Sequence, residues 1–220
     1  PAAADEASPP AGQRHVLVRG QVLHFLADPG PHDDPAAWRY FDDGALWVAD
    51  GRVVVAGPWA EVSAALPPAV RKAATLHDYR GRLVLPGFVD THLHYAQAGI
   101  MGAFGRQLLD WLKDYTFPAE ARLADLSEAE RAAAFAVERL LAHGTTTASV
   151  FGTVHAHSVD AFLAVAEARR LRMLCGKVLM DRHCPDTLRD TAESGIRDSL
   201  DLIARWHGRG RLRYSLTPRF

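Results

Sequence analysis

The sequence predicts an α/β protein in which parallel strands alternate with helices, set behind a β-rich segment. Two observations carry that expectation. Short β-branched runs separated by turn residues fill the chain as far as Arg82, and beyond it apolar strand-like runs alternate with runs of helical period.

In chain order, PAAADEASPPAGQR is small, proline-rich and acidic, without the apolar core of a secretory signal, and reads as a disordered tail over residues 1–14. Residues 15–82 form the β-rich segment. Within it HVLVRGQVLHFL (His15–Leu26) and GALWVADGRVVVA (Gly44–Ala56) read as strands and hairpins, and ADPGPHDDPAAWRYFDDG between them as a long loop. From residue 83 the alternation begins with LVLPGFVDTHLHY, then the helix SEAERAAAFAVERLLAHG, with Ser127 and Glu130 spaced as a capping box and Gly144 as its stop. The strand TTTASVFG, the helix SVDAFLAVAEARR, the strand MLCGKVLMD, a helix over about residues 186–207 and the strand RLRYSLTPRF complete the chain. A complete eightfold barrel takes about 250 residues. By itself, then, the alternation suits either half a barrel or an open, doubly wound sheet.

Composition narrows the function. With 48% hydrophobic and 23% charged residues the 220-residue chain is globular in character, and no run approaches the apolar length of a membrane span. A formal charge of -1 gives nucleic acid or an acidic membrane no clustered basic surface to bind. Cys175 and Cys184 make neither a disulfide framework nor a CxxC zinc site, which suits a reducing cytoplasm. Chemistry on a small molecule is what remains.

That chemistry concentrates in PGFVDTHLHYAQ, Pro86 to Gln97. Side chains alternate across a strand, so His92 and His94 point to one side and their imidazoles can converge on one ion. At the C-terminal end of a barrel strand such a pair is where active sites assemble, and imidazole is a preferred zinc ligand that also suits iron and nickel. Taken alone, an HxH is better explained by two histidines packed or hydrogen-bonded at a strand end.

The surroundings of the pair go further. FVDTHLH after a PG turn resembles the first barrel strand of the amidohydrolase superfamily. LLDWLKDYTFPAEARL, HGTTTASVFGTVH, GKVLMDR and TPRF are similar, in order and spacing, to the guanine deaminase family over about Leu83 to Phe220. The resemblance implies the first half of a (β/α)8 TIM-type barrel, its first four β/α units, over residues 83–220, preceded by the N-terminal part of a small β-sandwich. It makes His92 and His94 ligands of one Zn2+ and sets Gln97, Arg219 and Phe220 at a purine. Each role has a physical reason: the Gln97 amide both donates and accepts, the Arg219 guanidinium is a planar donor fork suited to a guanine carbonyl and its neighbouring nitrogen, and Phe220 can stack on or wall the ring. The reaction implied is hydrolysis of guanine to xanthine and ammonia by zinc-activated hydroxide, a step of purine catabolism. Further ligands and the acid/base glutamate and aspartate are expected after Phe220. No catalytic residue is therefore assigned within this chain, which reads as an N-terminal half, inactive by itself; the resemblance also implies a cytoplasmic homodimer. Two alternatives stand beside it: an amidohydrolase of another nucleobase or of a triazine, and a non-catalytic relative acting as an assembly partner. The HxE and PCxxC of cytidine-deaminase-type enzymes do not occur.

Other residues read as structural. His155 and His157 sit at a loop or helix start, where i and i+2 need not converge. Lys177 in an apolar strand reads either as a buried catalytic lysine or, in preference, as an inward, paired structural one, and Asp181, Arg182 and His183 suit either a supporting or covering role at the barrel mouth or plain loop polarity. Leu108, Leu112 and Tyr115 recur at helical spacing, so Trp111, Tyr115 and Phe117 read as core, with part of the group as a cover for the pocket.

Overall fold

A computed structural model describes residues 14–220; except for Arg14, the expected tail lies outside the described residues. The chain divides into two compact units, one ending at Pro86 and the other running Gly87–Phe220.

The first unit is a four-stranded sheet of order β3-β2-β1-β4, from β1 (His15–Phe25), β2 (Trp38–Ala49), β3 (Arg52–Pro58) and β4 (Thr75–Val84). β1 pairs antiparallel with β2 and parallel with β4. Two short helices, α1 (Trp59–Ala65) and α2 (Pro68–Ala73), make the crossover, and Leu66 and Val70 pack on Leu17 of β1. The loop expected over residues 27–44 ends early, because WRYFDDG already belongs to β2. Its aspartates sit on the solvent side, where Asp43 accepts two hydrogen bonds of 2.7 Å from Arg19 and Asp42 one of 3.1 Å from Gln21 across the β1–β2 pair. Cross-strand pairs of this kind let a polar run serve as a strand.

The second unit opens on β5 (Phe88–His94), followed by a 3-10 turn over Tyr95–Ile100, α3 (Leu108–Trp111), a π-helical stretch over Leu112–Thr116 and α4 (Phe117–Ala121). Then come α5 (Leu126–Ala142), β6 (Thr145–Phe151), α6 (Ala156–Ala168), β7 (Arg172–Gly176), β8 (Val178–Leu179), α7 (Ala192–Trp206), β9 (Arg213–Tyr214) and β10 (Thr217–Pro218). β5, β6, β7 and β9 form a parallel sheet in that order, and β8 pairs parallel with β10. The alternation therefore gives an α/β unit with parallel pairing.

Helix starts and stops follow local chemistry, with one shift. The N-cap of α5 is Asp125, whose carboxylate accepts the Glu128 N–H at 3.0 Å; Ser127 donates to that carboxylate instead of capping with Glu130. Gly144 ends the helix with φ +81, a conformation that favours glycine. Ala129, Ala133, Ala136 and Val137 bury one face of α5 beside α6. α7 starts on a Thr191–Ser194 capping box and docks on α6, where Asp160 accepts from Arg205 and from the Trp206 indole.

The Trp111 group joins the core only in part: Phe117 packs against a buried cluster and Trp111 is half-buried, while Tyr115 is exposed. Leu112 is buried, but Leu108 is 69% and Tyr115 38% exposed; Tyr115 lies within the π-helical stretch Leu112–Thr116, which breaks the 3.6-residue stripe after Leu112. Thr116 and Glu120 are the polar residues that α4 and its approach turn fully inward.

The predicted strand MLCGKVLMD is broken at Lys177. β7 and β8 flank the break, with the Gly152 N–H bonded to the Gly176 carbonyl and the Val178 N–H to the Thr153 carbonyl. Here the segment before β10 passes so close that a Cβ on Gly176 would stand 1.8 Å from the Ser215 carbonyl oxygen. Gly176→Ala is expected to cost about 1–3 kcal/mol in chemical denaturation by forcing the β9–β10 connection outward. Gly99→Ala, with nothing within 4 Å of the new methyl, is expected to change stability by less than about 0.5 kcal/mol.

Candidate functional site

The end of β5 carries the first two candidates. The Asp90 carboxylate accepts the His92 N–H at 3.0 Å, and strand alternation brings the two imidazoles to 5.2 Å between centroids. Phe151, the register partner of His94 on β6, supports both: His94 stacks on its ring at 4.6 Å and His92 meets it edge-on at 5.1 Å. Burial, the Arg219 guanidinium and His92 hold the His94 imidazole down at about 4, so its ring is neutral at ordinary pH. Its Nδ1 is buried, without a hydrogen-bond partner among the described residues, and lies 3.9 Å from Glu120 Oε1.

Glu120, which the sequence reading missed, is the centre of the remaining site. Its side chain has no exposed surface. Arg219 donates from Nη1 to both of its oxygens at 2.8 and 2.9 Å, and Gln97 donates from Nε2 to Oε1 at 3.2 Å. Burial pushes the Glu120 carboxyl up while Arg219 and Gln97 pull it down. Phe117 and Ala121 of α4 pack against Val154, Val178, Met180 and Leu188, which sets the helix over the ends of β6 and β8 and turns Glu120 inward. Only the Thr116–Glu120 spacing of i and i+4, two polar residues sharing one helix face, could have flagged the carboxylate.

Arg219 comes from beyond β10. Its N–H bonds the Leu179 carbonyl at 3.0 Å, and the Asp181 N–H bonds the Phe220 carbonyl at 3.2 Å, so the backbone on both sides of the guanidinium is tied to β8. The guanidinium lies 5.6 Å from both the Phe117 and the Phe220 ring centres, and the Phe220 ring is 39% exposed. The structure thus gathers His92 with His94, and Gln97 with Arg219 through Glu120, with Phe220 at the rim. A cavity of about 520 Å³ beside β5 touches His94 and Gln97 but is otherwise lined by residues such as Trp111, Leu140 and His143, and neither Arg219 nor Glu120 reaches it.

The residues set aside fall elsewhere. His157 Nε2 lies 2.8 Å from the Leu123 carbonyl oxygen. Asp181 and Arg182 pair with each other on the surface. Lys177, wholly buried, pairs with Asp190, and its backbone N–H donates to the Tyr214 hydroxyl oxygen at 3.3 Å. No group of three or more His, Cys, Asp or Glu poised for a metal occurs among the described residues.

The model of the amidohydrolase family matches residues 83–219. The chain belongs to the amidohydrolase family. Among its relatives, guanine deaminase of Escherichia coli strain K12 is 49% identical over 209 residues, 94% of this chain and 47% of that protein. A probable guanine deaminase of Deinococcus radiodurans is 44% identical over 93% of this chain and 46% of its own length. The solved structure of E. coli guanine deaminase superposes with a TM-score of 0.86 at 46% identity, covering 93% of this chain and 47% of that one. This amidohydrolase chain spans about half the length of the curated relatives it matches.

Removing either partner of the Lys177–Asp190 pair tests its structural role. Asp190→Ala strands a lysine with no exposed surface and is expected to cost about 3–5 kcal/mol in chemical denaturation. Lys177→Met leaves Asp190, which keeps 14% exposure and can meet water, and is expected to cost less.

Proposed function

We propose that the protein to which this chain belongs hydrolyses guanine to xanthine and ammonia, with one zinc ion, and that the chain supplies the base-reading part of the site. The observation that carries the reading is the similarity to guanine deaminases over more than nine-tenths of the chain, together with the Gln97–Glu120–Arg219 group beside the two histidines.

His92 and His94 suit a divalent cation: they are two imidazoles on one strand side, one of them neutral, with a buried nitrogen unpartnered among the described residues. When bound there with further protein ligands, zinc supplies water activated near neutral pH. The chain's own residues do the recognition. Arg219 donates to the purine carbonyl, Gln97 engages the ring nitrogens, and Phe220 borders the ring face. Adenine, with an amino group where guanine has its carbonyl, meets a donor opposite a donor.

In this reading residues 83–220 are the first four units of a (β/α)8 barrel, residues 15–82 belong to a small β-sandwich, and the enzyme is a cytoplasmic homodimer. The parallel order β5-β6-β7-β9 and the ends of β5, β6 and β8 gathered at the site agree with a barrel's C-terminal face. No helix of the described residues is long and apolar enough to cross a membrane.

The zinc-loaded full-length protein is expected to release ammonia from guanine faster than from a triazine carrying an unsubstituted ring amine; the reverse preference would refute the substrate. His94→Ala is expected to lose stoichiometric zinc, measured by metal analysis, and ammonia release with it. The 220-residue chain alone, with two imidazoles where a catalytic zinc usually has three protein ligands, is expected to bind zinc weakly and to show no turnover.

A further inference from the structure

We infer that Glu120 is a positioning residue that sets which edge of the purine the site accepts, an inference that rests on the guanine-deaminating reading. A buried carboxylate only accepts hydrogen bonds. Gln97 must therefore turn its NH2 toward Glu120 Oε1, where Nε2 lies at 3.2 Å. The opposite flip would set the amide oxygen against a carboxylate oxygen. The Gln97 carbonyl is thus held away from Glu120, as an acceptor for a ligand N–H.

Arg219 is constrained in the same way. Both carboxylate oxygens take Nη1 at 2.8 and 2.9 Å, leaving Nε and Nη2 without a hydrogen-bond partner among the described residues. The backbone ties to Leu179 and the flanking rings of Phe117 and Phe220 restrict the rest of the side chain. One acceptor and a fork of donors, oriented by a single carboxylate, complement a ring edge that carries a carbonyl beside an N–H. They oppose the edge in which an amino group replaces that carbonyl. Glu120 touches neither ring nor metal in this scheme and acts through Gln97 and Arg219.

The test compares guanine with 2,6-diaminopurine, in which the carbonyl becomes an amine, in the zinc-loaded full-length protein. Glu120→Gln keeps the shape but can donate as well as accept, so Gln97 is released to flip and Arg219 loses its counter-charge. The ratio of kcat/KM for guanine over that for 2,6-diaminopurine is expected to fall by about tenfold or more, the size of one well-placed hydrogen bond to a charged group. KM for guanine is expected to rise more than kcat falls, at unchanged zinc content. A substitution that only reduced the folded fraction would lower both kcat/KM values together and leave their ratio alone.

An unchanged ratio in active Glu120→Gln protein overturns the inference and leaves the guanine reading standing. Absence of ammonia release from guanine by the wild-type protein removes both. If Glu120→Gln does not fold, Glu120→Asp carries the test: its shorter carboxylate cannot hold both partners at these distances, and the ratio is expected to fall there too, its constancy counting against Glu120. Combining Glu120→Gln with Arg219→Gln is expected to add less than the two losses taken separately, because both act through one contact.

Discussion

A carboxylate with no exposed surface has to be neutralised from within, and in this chain Arg219 does so for Glu120. Taking such an ion pair out of water costs several kcal/mol per ion unless geometry and further hydrogen bonds offset it. Here two bonds from one guanidinium nitrogen and a third from Gln97 do so. The pair also joins segments far apart in the chain, since Glu120 and Arg219 are separated by 99 positions. Through it α4 and the end of β10 are held beside the turn that follows β5.

The rest of the second unit serves that convergence. Phe151 seats both histidines because β6 runs parallel to β5 with His94 opposite Phe151. The break between β7 and β8 lets the strand continue toward the site, and Gly176 at the break gives the Ser215 carbonyl room to pass. The buried Lys177–Asp190 pair sits at that break and ties it to the turn before α7. Apolar contacts among Val154, Val178, Met180 and Leu188 fill the space under α4.

Much of this was legible in the sequence, for reasons of periodicity. His92 and His94 stand out because a strand has a period of two, and α5, α6 and α7 because their apolar residues recur at helical spacing. Gln97, Arg219 and Phe220 were reached through family likeness, not through their own chemistry. Glu120 was invisible because a glutamate in a helical run reads as solvent-facing, and its burial depends on partners 23 and 99 positions away. The misread loop at Trp38–Gly44 has the same kind of cause: Asp42 and Asp43 look like turn residues until Gln21 and Arg19 lie across from them. Tyr115 kept its helical spacing in sequence and lost the face of Leu112 to the π-helical stretch.

A crystal structure of the full-length protein with zinc and a bound guanine would decide whether Glu120 organises the site. The ring's carbonyl and N–H edge is expected within hydrogen-bond distance of Arg219 and of the Gln97 carbonyl, with both residues still held by Glu120 and the zinc on His92 and His94. A purine bound with Arg219 released from Glu120, or with that edge turned away from Gln97 and Arg219, would contradict it.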